Sequence, residues 1–155
     1  MNKPNSLRQA LIDAIPQLSA HPEMLRFSVE NGNIDARLSV SLSFEKKYTL
    51  KGLVKNFVGE SNQLFVPLLA WLRENQPDIF TLDEGRKNGY LFQIVMNDDE
   101  SKDISFSLQL TERILVTEEN GTLRASYSPE PPLPAPVTRP KELYINGELV
   151  SQWSE

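Results

Sequence analysis

Hydrophobic residues recur at helical spacing in two stretches of the chain. In the first, apolar positions fall at i, i+3, i+4, i+7 and i+8, namely Leu7, Ala10, Leu11, Ala14 and Ile15. Ser6 is positioned to cap this helix at its start, and Pro16 and then Pro22 end it. The pattern predicts one amphipathic helix near the N-terminus.

The second helical stretch is the strongest candidate for the hydrophobic core. It opens at Ser61 or Asn62, and Pro77 closes it. Its apolar positions are Leu64, Phe65, Leu68, Leu69, Trp71 and Leu72. Pro67 lies late for the first turn, so the helix either begins near Gln63 or bends at the proline.

Elsewhere the apolar residues alternate with polar ones, as in strands that bury one face. Alternation covers residues 25–29, 34–44, 48–54, 90–96 and 104–110, with shorter runs at 114–117 and 123–127. Asn31-Gly32 and Asn120-Gly121 predict tight hairpin turns, because both residue types tolerate positive φ. The expected fold is α+β, with two helices packed on a mostly antiparallel sheet.

The chain is expected to divide into a domain at residues 1–128, a spacer at 129–140 and a hairpin arm at 141–155. Six of the twelve spacer residues are proline, a composition that favours extended polyproline II geometry. Residues 143–150 then predict a hairpin with its turn at Asn146-Gly147. A lone two-stranded hairpin is marginal in water, so the arm is expected to dock on another surface.

Charge and composition narrow the classes of function. The net charge of −5 argues against nucleic-acid binding, which depends on clustered Lys and Arg. The chain has no cysteine, which excludes a disulfide framework or a thiolate metal site and suits the cytoplasm. The most apolar stretch, residues 64–72, is far shorter than a membrane span, and the N-terminus lacks the apolar core of a signal peptide.

No residue pattern predicts catalysis or a cofactor. His21 is the only histidine, so it cannot assemble a metal site or a catalytic triad with another His or Cys. Glycines form no phosphate-binding loop. Asp98, Asp99, Glu100 and Asp103 could hold a hard cation, but the glycine and terminal acid of a calcium loop are missing, which favours a solvated turn.

Two regions have the composition of a protein-protein interface. Trp71 and Arg73 lie near the end of the second helix, where the leucine pattern favours core burial of the tryptophan over an interface role. The terminal hairpin carries apolar and aromatic side chains that a two-stranded hairpin cannot bury by itself. The candidate interface residues are Trp71, Arg73, Tyr144, Ile145, Leu149 and Trp153.

The sequence resembles the tail completion protein R family of peduovirus-type phages, which have contractile tails. The resemblance runs through nearly the whole chain and is strongest at residues 66–79, 110–113, 137–140 and 142–150. The segments that carry it are residues 6–11, 24–26, 41–46, 66–79, 110–113, 137–140 and 142–150. None of these segments is a catalytic motif.

The resemblance implies a late structural protein, not an enzyme, that finishes the head-proximal end of the tail. By analogy with tail terminators we expect a closed ring, with six copies to match the tail. Expected partners are the tail tube or sheath protein and the head-tail connector, with no nucleic acid, membrane or cofactor. The expected location is the virion tail, reached from the host cytoplasm.

Two alternatives to a structural subunit come from other classes of function. One is a monomeric chaperone or adaptor that assists tail assembly and then leaves. The other is an acidic, cation-dependent enzyme that uses the loop at residues 98–103. Detection of the protein in mature tails separates the first alternative from a structural subunit.

Overall fold

A computed structural model describes residues 2–39, 41–128 and 141–153. The helices are α1 (Asn2–Ala14), α2 (Pro16–Ala20), α3 (Asn62–Asn75), α4 (Asp78–Thr81) and α5 (Asp83–Asn88). The strands are β1 (Leu25–Ala36), β2 (Phe44–Phe57), β3 (Tyr90–Met96), β4 (Lys102–Glu119), β5 (Thr122–Ser128), β6 (Glu142–Ile145) and β7 (Glu148–Gln152). The predicted α+β class, with a mostly antiparallel sheet and two principal helices, is confirmed.

The main sheet is antiparallel and has the strand order β1-β2-β4-β3, with β5 also paired to β4. The register aligns Phe27, Gly52, Phe106 and Phe92 in one row across the four strands. Alternate residues point to opposite faces, so one face carries the core and the other carries mostly polar residues. The core face of the sheet packs against the helices.

Helices α1 and α3 form the layer on the core face, and they run antiparallel. Lys3 near the start of α1 bonds to Gln76 beyond the end of α3, and Ser6 bonds to Trp71 one turn further along. Leu7 and Leu11 from α1 and Leu64, Leu68 and Leu72 from α3 are completely buried. This apolar burial supplies most of the favourable free energy that stabilises the domain.

The predicted helix starts were right for α3 and wrong for α1. Helix α3 begins at Asn62, so Pro67 lies inside it and cannot donate to the carbonyl of Gln63. Helix α1 begins at Asn2, which places Ser6 within the helix and not at its cap. The Ser6 hydroxyl oxygen instead accepts a hydrogen bond from Trp71 Nε1 at 3.0 Å.

The predicted hairpin turn at Asn31-Gly32 is wrong. Strand β1 continues through these residues, with Asn31 at φ 54° and a break in the register between Glu30 and Asn33. Both halves of β1 pair with β2, so Ala36 at the end of β1 lies opposite Phe44 at the start of β2, and the extra residues at Asn31-Gly32 form a bulge. The strand expected over residues 34–44 therefore ends at Ala36.

The remaining predicted hairpins are present. Strands β3 and β4 pair over Tyr90–Met96, and β4 turns into β5 at Asn120-Gly121, where both residues have positive φ. The runs at 104–110 and 114–117 belong to the single strand β4. Strands β6 and β7 form a separate two-stranded sheet around Asn146-Gly147. The predicted spacer, residues 129–140, lies outside the described residues.

Candidate functional site

The outer surface of the C-terminal hairpin presents two of the candidate interface residues side by side. Tyr144 and Leu149 are cross-strand partners in β6 and β7, and they are 57% and 47% exposed. The Tyr144 hydroxyl donates to Glu142 Oε2 at 3.1 Å, and this bond raises the pKa of the phenol. Tyr144 and Leu149 therefore form a small apolar surface, and the hydrogen bond to Glu142 fixes the polar hydroxyl group at its edge.

The other side of the hairpin contacts the domain. The Ser151 hydroxyl is buried and donates to the backbone carbonyl of Ala14 at the end of α1. Trp153 packs against the hydrophobic core, and Ile145 is half-buried. Trp153 therefore anchors the hairpin, while Tyr144 and Leu149 remain available to a partner.

Trp71 and Arg73 lie at the opposite end of the helical layer from the hairpin. Trp71 is 7% exposed, as the core interpretation predicted. Arg73 is partly exposed, and its Nε atom is shielded from solvent without a hydrogen-bond partner. The structure therefore brings Tyr144, Leu149 and Trp153 together and leaves the two α3 residues apart from them.

Sequence reasoning did not identify Gln76, a buried side chain at the outer side of β4. Along β4, the pairing with β3 ends at Leu108 and the pairing with β5 begins at Arg113, which leaves a gap between the two partner strands. Gln76 Oε1 accepts from the Thr111 backbone N–H at 3.0 Å, while Nε2 donates to Thr111 Oγ1 at 3.0 Å. The Gln76 amide thus provides the hydrogen-bond acceptor that a neighbouring strand would otherwise supply to the Thr111 backbone N–H.

Sequence reasoning also missed Glu112, which lies next to this gap on the core face. It is 3% exposed, and its Oε1 accepts from the Lys3 backbone N–H at 2.6 Å. Its Oε2 lies 3.5 Å from Lys46 Nζ. Burial, and then the charge of Glu112, raise the pKa of Tyr48.

Glu112 caps α1 from a neighbouring strand, because a carboxylate is favourable beside the positive end of a helix. A signal for this role was present in the sequence. Glu112 occupies an inward position in the alternation of β4, between Leu110 and Ile114. A charged residue at such a position indicates a buried polar contact, although its partner is 109 residues away and is not readable from spacing.

The acidic turn between β3 and β4 is held by its own hydrogen bonds. Asp99 accepts from the backbone and the hydroxyl of Ser101, and Asp103 accepts from Asn56 N–H at 3.0 Å and from Asn97 Nδ2. These bonds lower the pKa values of both carboxyl groups. No group of three or more potential metal ligands occurs among the described residues.

We expect the triple variant Asp98→Asn, Asp99→Asn, Asp103→Asn to retain full tail-assembly activity. Asparagine keeps an acceptor oxygen at each position, so the turn keeps its neutral hydrogen bonds. Carboxyl groups with lowered pKa values stabilise the folded state above about pH 4, and this contribution is lost as the pH falls. The free energy of unfolding of the variant should therefore vary less with pH in the acidic range. Urea unfolding between neutral and acidic pH, with complementation assays, measures both effects. Activity that is lost and then restored by a divalent cation would show a metal site.

Comparison with known proteins gives two findings that agree. Residues 1–131 match the family model described as P2 phage tail completion protein R. The chain is 59% identical to the "Tail completion protein R" of Escherichia phage P2 over 155 residues, which cover all of both chains. No solved structure matches the chain. None of the helices in the described ranges is long and apolar enough to cross a membrane.

Proposed function

Because the chain belongs to the P2 phage tail completion protein R family, we propose that it closes the head-proximal end of a contractile tail. It is a structural tail completion protein and not an enzyme. The observation that carries this function is the 59% identity to a tail completion protein along the full length of both chains.

The proposed active form is a closed homo-oligomeric ring of six copies. A contractile tail grows by repeated addition of equivalent layers, and a closed ring stops such growth because it offers no further equivalent site. The ring would contact the last layer of tube or sheath protein on one side and the head-tail connector on the other. Assembly takes place in the host cytoplasm, and the ring stays in the virion tail.

The hairpin surface formed by Tyr144 and Leu149 is the proposed contact with the tail. These side chains are exposed, paired across the two strands, and carried by a unit that Ser151 and Trp153 fix to the domain. Aromatic and large apolar residues are enriched in the energetically important parts of interfaces. Ile145 is half-buried, and Trp71 and Arg73 are not part of this surface.

Electron microscopy of purified tails tests the location of the protein. The chain carries an epitope tag that preserves complementation, and gold-labelled antibody reports its position. We expect label at the end that joins the head, with six copies per tail by quantitative mass spectrometry. A chain that is required for tail formation but absent from finished tails would identify an assembly chaperone.

We expect the double variant Tyr144→Ser, Leu149→Ser to fold normally and to bind tails weakly. Both side chains are largely exposed, so their replacement should change the free energy of unfolding by less than about 0.5 kcal/mol. Binding to tails that lack the native protein is measured by co-sedimentation. Unchanged binding by this variant would remove the outer hairpin surface from the mechanism.

A chain that ends at residue 128 provides the comparison for the whole arm. It should remain folded, because it keeps the main sheet and the helices. It should melt at a lower temperature, because it loses the contacts of Ser151 and Trp153 with the domain. It should also bind tails weakly, as the double variant does. Full binding by the truncated chain would show that residues 129–155 have no part in docking.

A further inference from the structure

Strand β3 has the composition of a central strand but lies at the edge of the sheet. Its seven residues, Tyr90–Met96, include six apolar or aromatic side chains and no charge. Strands buried on both faces have such continuous apolar sequences, whereas strands of an antiparallel sheet with one solvated face usually alternate. In the described chain β3 pairs only with β4, so its outer backbone groups have no partner strand.

Both faces of β3 expose apolar side chains. Phe92 and Met96 share the core face of the sheet, since Phe92 pairs with Phe106, and they are 61% and 74% exposed. Leu91 and Val95 point to the opposite face and are 47% and 55% exposed. A soluble chain that leaves such a strand open has an edge ready to accept another strand.

The usual protections of an edge strand are absent from β3, and at the other edge of the sheet they are confined to the part of β1 that begins at Glu30. Strand β3 contains no proline and pairs with β4 without a bulge. At the opposite edge, β1 is interrupted after Glu30 by its bulge, and Glu30 itself pairs with Lys51 at 3.1 Å. The regular part of β1 is therefore limited to residues 25–30.

We infer that β3 of one copy pairs with the regular part of β1 of the next copy, joining subunits head to tail. This inference rests on the proposed ring and specifies its subunit contact. The two stretches match in length, with seven residues in β3 and six paired residues in the regular part of β1. The Leu25 carbonyl accepts from Arg8 at 2.8 Å, which leaves residues 26–30 as the accepting segment.

The direction of the strands supports this arrangement. Strand β1 is antiparallel to β2, β2 to β4 and β4 to β3, so β3 runs antiparallel to β1. When the second sheet continues the first in the same orientation, β3 and the neighbouring β1 therefore form one more antiparallel ladder. The contact uses different surfaces on the two copies, which is the type of interface that generates rings.

The other possible partner of β3 is β3 of a second copy. That contact uses the same surface on both subunits and closes as a dimer. It leaves the two β1 edges open and cannot produce a ring by itself. A β3-to-β3 contact is therefore the outcome that would overturn the head-to-tail arrangement.

Disulfide trapping tests the contact directly, because the native chain contains no cysteine. Ser28 lies on the polar face of β1, the face that also carries Leu91, Gln93 and Val95 of β3. Three double variants combine Ser28→Cys with Leu91→Cys, Gln93→Cys or Val95→Cys. We expect at least one to oxidise into a ladder of covalent oligomers that ends at the ring, whereas each single variant stays unlinked.

The size of the unmodified protein is measured separately by analytical ultracentrifugation. A native ring in which none of the three double variants cross-links would overturn this contact and leave the proposed function intact. Covalent dimers from a single β3 cysteine would overturn it in favour of β3-to-β3 pairing. A native chain that is monomeric both in solution and on tails would overturn the ring and this contact together.

Lysines placed on β3 give an independent test. The variant Leu91→Lys, Val95→Lys adds charge to the open edge and should convert the ring to monomer without changing the melting temperature of the domain. The control is Leu123→Lys on β5, which adds a single charge at a leucine that is 56% exposed in another strand of the same sheet. Rings that persist in the β3 variant, or that dissociate equally in the control, would contradict the assignment.

Discussion

Trp71→Ala is expected to lower the free energy of unfolding by about 3–5 kcal/mol, the usual cost of truncating a buried large aromatic side chain. Trp71 is 7% exposed and packs in the layer between α1 and α3. Its loss removes apolar contacts along both helices and leaves a cavity that the backbone of α3 cannot close. Urea unfolding followed by circular dichroism measures the change.

Ser6→Ala separates the packing of the indole from its hydrogen bond. This variant removes only the acceptor for Trp71 Nε1 and should cost about 1 kcal/mol. A Trp71→Ala protein that unfolds like the parent and yet fails to complete tails would make Trp71 an interface residue. Equal losses for the two variants would show that the hydrogen bond, and not the packing, carries the effect.

Glu112→Ala is expected to lower the free energy of unfolding by about 3 kcal/mol, near the upper limit for a buried donor that loses its partner. The carboxylate accepts the Lys3 backbone N–H at 2.6 Å and lies 3.5 Å from Lys46 Nζ. Its removal leaves the Lys3 N–H in the first turn of α1 without the acceptor that Glu112 provides from the core face of the sheet. Thermal and urea unfolding should both report the loss.

Glu112→Gln is the matched control for the cap. Glutamine keeps an acceptor oxygen for the Lys3 N–H but loses the charge, so it should cost only about 1 kcal/mol. Fraying of α1 in the alanine variant is detectable as faster hydrogen exchange at the backbone amides of Lys3, Asn5 and Ser6. Equal destabilisation by alanine and glutamine would assign the effect to the charge alone, and no destabilisation would exclude the cap.

Local patterns were sufficient where neighbouring residues determine the structure. The leucine spacing and Pro77 located α3, and alternation located β3, β4 and β5 with the turn at Asn120-Gly121. The same pattern failed at Asn31-Gly32, because a residue pair that tolerates positive φ fits a bulge as well as a hairpin turn. Only pairing with β2 on both sides of the bulge distinguishes the two.

The sequence also could not distinguish which candidate interface residues face solvent and which face the domain. Composition marked Tyr144, Leu149 and Trp153 alike, but only the docking of Ser151 on Ala14 shows that Trp153 faces the domain while the other two face solvent. The period of a strand states which side chains share a face. It does not state which face another element covers.

The sequence by itself determined the α+β class, the two principal helices, most of the strands and, through its resemblance along the whole chain, the tail completion family. Tertiary structure alone decided that Glu112 caps a helix 109 residues away, that Gln76 fills the gap between β3 and β5, and that an apolar strand lies at an edge. Helix and strand periods arise from interactions between residues a few positions apart. Caps, buried polar partners and sheet order depend on contacts between distant segments, which no local period encodes.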